Sequence, residues 1–175
     1  MFSVIFPGQG SQSVGMSKEL YDNFPYIKDL FEQADDILGY SISKIILEGP
    51  KEDLDLTENT QPEIFLSSYS IFEMIKKEGN IDLEEAKYFA GHSLGEYSAL
   101  ATSGSLDFKD AIKLLNQRGK AMQTAVPKGT GGMIAVLGVK ITEINSLLEE
   151  NQNNYKCYIA NDNSNGQIVL SGLNS

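Results

Sequence analysis

The chain is poor in the residues that build metal sites and covalent cross-links. It has one cysteine, Cys157, one histidine, His92, and one arginine, Arg118, in 175 residues. A single cysteine excludes an intrachain disulfide framework, and one cysteine with one histidine excludes a zinc site of the usual Cys/His ligands, so no metal is expected. Long apolar runs are missing too. The N-terminal MFSVIFPGQGSQ is apolar only at its start and has no basic leader, and no run approaches the ~18 residues of a membrane helix. The expectation is a cytoplasmic protein with no membrane partner. Basic charge is also scarce, with 14 basic against 24 acidic residues and a net charge of −10, which opposes binding to a nucleic-acid backbone or an anionic bilayer. Between Lys18 and Glu58 eleven acids face four lysines, whereas Lys109 to Lys128 holds five bases against Asp110 alone. An anionic ligand would favour the second stretch, although a solvated helix face accounts equally well for most of its lysines.

What remains is the composition of an ordinary globular protein, 41% hydrophobic and 22% charged with five prolines. Phe2 to Phe6 reads as a buried strand ending at Pro7-Gly8. Helical spacing organises Met16 to Leu38 in two pieces broken near Pro25, then Ile42 to Leu47, stopped by Gly49-Pro50. A long apolar face predicts a helix from Thr60 to Glu78 with Pro62 in its first turn. Tyr88-Phe89-Ala90 reads as a short strand, Gly91 to Gly95 as a tight turn, Glu96 to Thr102 as a helix, and Phe108 to Ala125 as an amphipathic helix ended by Pro127 and Gly129. After Gly129 the pattern turns to β-α-β-β: Met133 to Val139, Glu143 to Glu150 behind a Thr142 cap, Cys157 to Ala160, and Gln167 to Ser171. The last two form a hairpin across the asparagine-rich Asn161 to Gly166. A split β-α-β-β-α-β unit would need one more helix, which Asn174 or Ser175 could cap, and one more strand. The sequence therefore reads as the N-terminal piece of something longer.

The strongest local signal is Gly91-His92-Ser93-Leu94-Gly95, a G-x-S-x-G between an apolar strand and a helix. The pattern alone is weak, and its context carries the argument. A serine on a strand-to-helix elbow is lifted clear of the sheet, and the flanking glycines avoid collisions with neighbouring backbone. The Leu94 N–H and the helix N-terminus then face a developing oxyanion. The alternative is a plain glycine-bounded turn. A second oxyanion donor could come from Gly8-Gln9-Gly10 after the first strand. Phosphate cradling competes for that loop, but the Walker lysine is missing and Ser13 stands where G-x-G-x-x-G needs its third glycine. Arg118, alone among fourteen basic residues, suits a site that needs a planar bidentate fork, as for a carboxylate. A chance surface arginine is the alternative. His92 adjoins Ser93, yet neighbours on an extended approach point to opposite sides. It is expected to pack beside the site or hydrogen-bond a ligand rather than act as base.

Pro7-Gly8-Gln9-Gly10-Ser11-Gln12, Thr60-Gln61-Pro62, Gly91 to Tyr97, Gln117-Arg118-Gly119, and Asn163-Ser164 with Gly166 to Gly172 together resemble the malonyl-CoA:acyl carrier protein transacylases of fatty-acid synthesis and the acyltransferase domains of polyketide synthases. The resemblance runs in order over essentially the whole chain. It implies an α/β fold in which a hydrolase-like parallel-sheet core, residues 1–128, carries an inserted ferredoxin-like subdomain that begins at residues 129–175, both incomplete here. It also implies Ser93 as the nucleophile that accepts a malonyl ester, the Gln9 and Leu94 N–H groups as oxyanion hole, Arg118 as the clamp on the malonyl carboxylate, and Gln61 and His92 as pocket lining. The implied substrates are malonyl-CoA and acyl carrier protein, with no further cofactor. The family's catalytic histidine and a supporting glutamine fall beyond Ser175, so the chain as written is expected to be weakly active or inactive. A serine esterase or thioesterase with water as acceptor, and a non-catalytic fragment that binds acyl groups or carrier protein, are the competing readings.

Overall fold

The computed structural model describes residues 1–126 and 129–174, at Glu84 by backbone alone. The described chain falls into two compact units, Met1–Met122 and Gln123–Ser175. In the first, β1 (Phe2–Phe6) is followed by α1 (Lys18–Asn23), α2 (Pro25–Leu38), α3 (Ile42–Glu48), α4 (Lys51–Leu54) and α5 (Thr57–Glu78). A single 3-10 turn leads into β2 (Ala86–Gly91), α6 (Gly95–Thr102) and α7 (Phe108–Ala125), the last residues of which belong to the second unit. The break near Pro25 is where the sequence places it: proline opens α2 at a position whose N–H needs no partner, and Gly39 closes it at φ 75°. The Asp35 carboxylate ties the end of α2 to the start of α3 by accepting from the Ser43 N–H at 2.8 Å and the Ser43 hydroxyl at 2.6 Å. The short α4 carries no apolar period long enough to be read from sequence.

α5 differs most from expectation. It begins three residues earlier than its apolar pattern suggests, at Thr57, so Pro62 lies beyond the first turn. Proline cannot donate to the Glu58 carbonyl one turn back, and Asn116 Nδ2 on α7 donates to that oxygen instead, at 3.2 Å. The helix is buried almost all round from Asn59 to Ser68. Several of its polar side chains enter the interior with partners. Thr60 Oγ1 donates to the Leu54 carbonyl at 2.6 Å, and Asn59 Nδ2 donates to the Asp53 carbonyl at 3.0 Å. Tyr40 donates its hydroxyl to Asn59 Oδ1 at 3.0 Å and accepts from Asn116 Nδ2 at 3.1 Å. Burial, reinforced by the carboxylates of Glu63, Glu58 and Asp35, pushes the Tyr40 phenol up to about 12, so it stays a neutral link between α5 and α7. Around this network pack Phe31, Phe65, Ile42, Ile46, Ile112 and Leu115, all fully buried. A smaller cluster of Phe6, Phe72, Leu83 and Ala99 covers one face of the sheet.

β1 and β2 pair in parallel, with Phe6 opposite Gly91. Their carboxyl ends are therefore adjacent, and the loops that leave them meet. The second unit contains β3 (Gly131–Leu137), α8 (Ile141–Asn151), β4 (Cys157–Ser164) and β5 (Gln167–Leu173), in an antiparallel sheet of order β3-β5-β4. The β-α-β-β order is the one read from sequence, with two corrections. Thr142 lies inside α8 rather than capping it; the cap position is Lys140 in extended backbone. The hairpin turn is also tighter than the asparagine-rich stretch suggests. β4 continues to Ser164, leaving Asn165-Gly166 as the turn, in which Gly166 takes the left-handed conformation at φ 86° that favours glycine. Pro127, Lys128 and Ser175, to which a helix stop, one of the five clustered bases and a cap were ascribed, lie outside the described residues.

Candidate active site

The site is built where β1 and β2 end. Gly91, the last residue of β2, lies so close to the next helix that a Cβ there would come within 2.0 Å of the Gly95 carbonyl carbon and oxygen. A Cβ on Gly95 would lie 2.7 Å from the carbonyl oxygens of Phe6 and Pro7. Both glycines of the G-x-S-x-G are thus fixed by backbone contact, one inside the elbow and one against β1. Between them Ser93 takes φ 55°, one of only two non-glycine residues with positive φ among those described. Such a conformation costs about 1–3 kcal/mol and persists only where its surroundings enforce it. Ser93 is exposed, and the neighbouring Leu94 side chain is fully buried, anchoring the start of α6.

The loop after β1 lies against this elbow. A Cβ on Gly8 would lie 2.8 Å from His92 Nδ1 and 3.0 Å from the His92 carbonyl oxygen, so His92 is turned toward the Gly8 backbone. The loop that carries Gln9 is held by its own bonds. Gln12 Oε1 accepts from the Gly10 N–H at 2.9 Å, the Ser11 hydroxyl donates to the Gly8 carbonyl at 2.9 Å, and Gln12 Nε2 donates to Asp55 Oδ1 at 3.0 Å. Bonds from Lys51 and then Gln12 hold the exposed Asp55 carboxyl below its usual range.

Arg118 and Gln61 come to the same place from α7 and α5. The helices cross closely because position 119 is glycine: a Cβ there would meet Glu58 Cα and the Thr57 carbonyl oxygen, each at 2.6 Å. One residue earlier, Arg118 extends its guanidinium so that Nη2 donates to Ser93 Oγ at 2.9 Å and Nη1 donates to Gln61 Oε1 at 2.7 Å. Gln61 is fully buried, and its Nε2 donates to the Met122 thioether sulfur at 3.1 Å. A serine hydroxyl facing a half-buried guanidinium is placed to act beside an anion. The fork binds carboxylates in a fixed plane, and its positive charge favours negative charge developing at or near Ser93 Oγ. The structure thus brings Ser93 and Gln61 each into hydrogen-bond contact with Arg118, while His92 flanks the elbow on the side of Gly8. Among the described residues no group of three or more His, Cys, Asp or Glu side chains is placed to hold a metal.

Two groups escaped sequence reasoning. Met122 reads from sequence as one more apolar residue on an amphipathic helix, and only its contact with Gln61 distinguishes it. Glu63 sits fully buried on α5, with no hydrogen-bond partner for either carboxyl oxygen. Burial, and then the nearby Asp55 and Asp53 charges, push its carboxyl up to about 9, so it is a neutral acid at pH 7. An acid directly after Thr60-Gln61-Pro62, one turn before Ser67 on the same face of the helix, was the available sign. A groove of about 730 Å³ lies in the second unit, among Met133, Ile134, Leu147, Leu170 and Leu173. It is apolar, with Lys156 its one charged lining residue, and neither Ser93 nor Arg118 lines it.

Comparison with known proteins agrees with this geometry. Residues 3–175 match the acyl transferase domain family. The malonyl CoA-acyl carrier protein transacylase of Haemophilus influenzae is 43% identical over 171 residues, 98% of this chain and 54% of the relative. That of Bacillus subtilis is 43% identical over 178 residues, 96% of this chain and 52% of the relative. Among solved structures, an acyl carrier protein S-malonyltransferase from Vibrio cholerae superposes with a TM-score of 0.88 at 42% identity, over 98% of this chain and 55% of the other. A malonyl-transacylase in complex with a type II polyketide-synthase acyl-carrier protein gives 0.88 at 40% identity, over 99% and 55%. The chain spans about half the length of the curated relatives it matches. With the strained Ser93 elbow, the adjoining Arg118 and a family match over nearly its whole length, this chain belongs to the acyl transferase domain family.

Proposed function

We propose that this chain carries the nucleophile and carboxylate clamp of a malonyl-CoA:acyl carrier protein transacylase. The observation that carries the reading is the Arg118 guanidinium, which reaches Ser93 Oγ and Gln61 Oε1 together and leaves the rest of its fork for an acyl carboxylate. Ser93 Oγ attacks the thioester carbonyl of malonyl-CoA, the new C–O bond replaces the C–S bond, and CoA departs as its thiol with the proton that the serine gave up. Malonyl then rests on Ser93 as an ester until the phosphopantetheine thiol of acyl carrier protein attacks it and restores the serine hydroxyl. The Gln9 and Leu94 N–H groups bind the oxyanion in both steps. Gln61 and His92 line the pocket, and the family resemblance assigns the base to a histidine outside these residues rather than to His92.

The fold reading follows the same line: the β1–β2 pair with its elbow is part of a hydrolase-like core, residues 1–128, and the β-α-β-β segment of residues 129–175 opens a ferredoxin-like subdomain. The close relatives' name and the carrier-protein complex of one structural neighbour support the substrate and partner. The test is intact mass after incubation with malonyl-CoA. A slow gain of one malonyl group that disappears in Ser93→Ala is expected, in keeping with the weak activity of a serine without its base. A folded chain that gains no adduct would favour a binding role, a label that survives Ser93→Ala would remove Ser93 as nucleophile, and rapid loss of the label to water would favour a hydrolase.

A further inference from the structure

We propose that Met122 is a positioning residue that fixes the direction of the Gln61 amide, and through it the plane in which Arg118 meets an acyl carboxylate. The inference rests on the reading of Arg118 as carboxylate clamp.

A glutamine side chain can present either its oxygen or its NH2 group to a neighbour. Guanidinium nitrogens only donate, so the Gln61 contact with Arg118 Nη1, 2.7 Å long, requires Oε1 on that side. The NH2 group is then forced to the opposite side and needs an acceptor, because Gln61 is fully buried and an unsatisfied N–H there is costly. The thioether of Met122, an acceptor with no proton to give, lies 3.1 Å away. The chain of bonds therefore has one arrangement: Arg118 donates to both Ser93 Oγ and Gln61 Oε1, and Gln61 Nε2 donates on to the Met122 sulfur.

The spacing reinforces this. Arg118 and Met122 are one helical turn apart on α7, on the same face, and Gln61 of α5 is held between them. The two α7 side chains thus hold Gln61 from both ends of its amide. The Met122 side chain is 46% exposed, so it is not a core residue whose packing alone explains its place.

Because Arg118 is the only arginine, its Nε–Hε group gives a single signal in a nitrogen-15 spectrum of the intact chain, which reports the clamp directly. Met122→Leu keeps volume and removes the acceptor. It should shift the Arg118 signal and speed its proton exchange by about two- to tenfold, the range expected for losing one neutral hydrogen bond. The ratio of malonyl to acetyl labelling at Ser93 should fall by a similar factor. Met122→Gln, which returns an acceptor at similar reach, should restore both, and a purely structural role would not predict that rescue. If Met122→Leu melts early, Met122→Ala is measured at lower temperature with the same expectation. An unchanged Arg118 signal in Met122→Leu overturns the proposal, as does failure of Met122→Gln to rescue. If the malonyl preference is unaffected by Arg118→Ala, the clamp reading fails while the Arg118 signal still decides the role of Met122 in orienting Gln61.

Discussion

The unit that carries Ser93 and the unit that follows it bury themselves very differently. In the first, a central helix is enclosed on nearly every side from Asn59 to Ser68, and its Asn59 side chain and Glu58 carbonyl are tied to α4 and α7. Among the described residues of the second, Ile144 and Ile168 are the buried hydrophobic side chains, while Met133, Ile134, Leu137 and Leu173 are more than half exposed. The difference shows what each can support. A strained serine needs rigid surroundings, and the first unit supplies them through backbone-to-backbone contacts at Gly91, Gly95 and Gly119. The two-stranded sheet is itself dense on one side only, for Ile5 is 77% and Tyr88 60% exposed on the other. The site therefore depends on the helical side of its sheet, where Phe6 and Phe72 pack.

The comparison is broken most forcibly at the elbow. Gly91→Ala puts a Cβ 2.0 Å from the Gly95 backbone, and no rotamer relieves a backbone clash. The first unit should lose at least ~4 kcal/mol, in the range reserved for severe lesions, seen as early loss of helical circular dichroism. A smaller effect is expected from Ile168→Ala, which empties one of the two buried hydrophobic positions among the described residues of the second unit. Truncating a buried isoleucine costs about 2–5 kcal/mol, and in so thin a core the loss should appear as weakened hydrogen-exchange protection in β3, β4 and β5.

Smallest at acid pH is Glu63→Gln. The native carboxyl keeps its proton up to about pH 9, whereas an unfolded glutamate releases it near 4.5. Between these values the native state holds the extra proton, so the stability this group contributes is complete below the lower value and is lost as pH rises through the upper one. Glu63→Gln should leave stability almost unchanged near pH 4 and flatten its decline between pH 5 and 9, measured by urea unfolding across that range. An unchanged decline would mean that Glu63 is ionised and paired in the folded chain.

The elbow and the lone arginine were legible because each needs an unusual residue: glycines where a Cβ cannot fit, and a planar fork in a chain otherwise supplied with lysine. The two helices of Met16 to Leu38 and the full span of α7 followed from apolar spacing and proline. Gln61 was reached only through the family resemblance, since a glutamine on a helix announces nothing by itself. The start of α5 was misjudged because its first turn is polar and its stability comes from Asn116 and Tyr40, 58 and 19 residues away from the groups they bond. Met122 and Glu63 were hidden for the same reason. Their significance lies in partners, or the lack of them, across helices, and periodicity along one helix does not contain it.

The central claim is that Arg118 makes this serine site selective for an acyl group that carries a carboxylate. The direct measurement is the ratio of malonyl to acetyl labelling of Ser93, by intact mass, in the native chain and in Arg118→Ala. Loss of a charge-assisted contact is worth about 1.5–3 kcal/mol, so the ratio should fall at least tenfold, chiefly through slower malonyl transfer. A ratio that stays the same in Arg118→Ala would contradict the account.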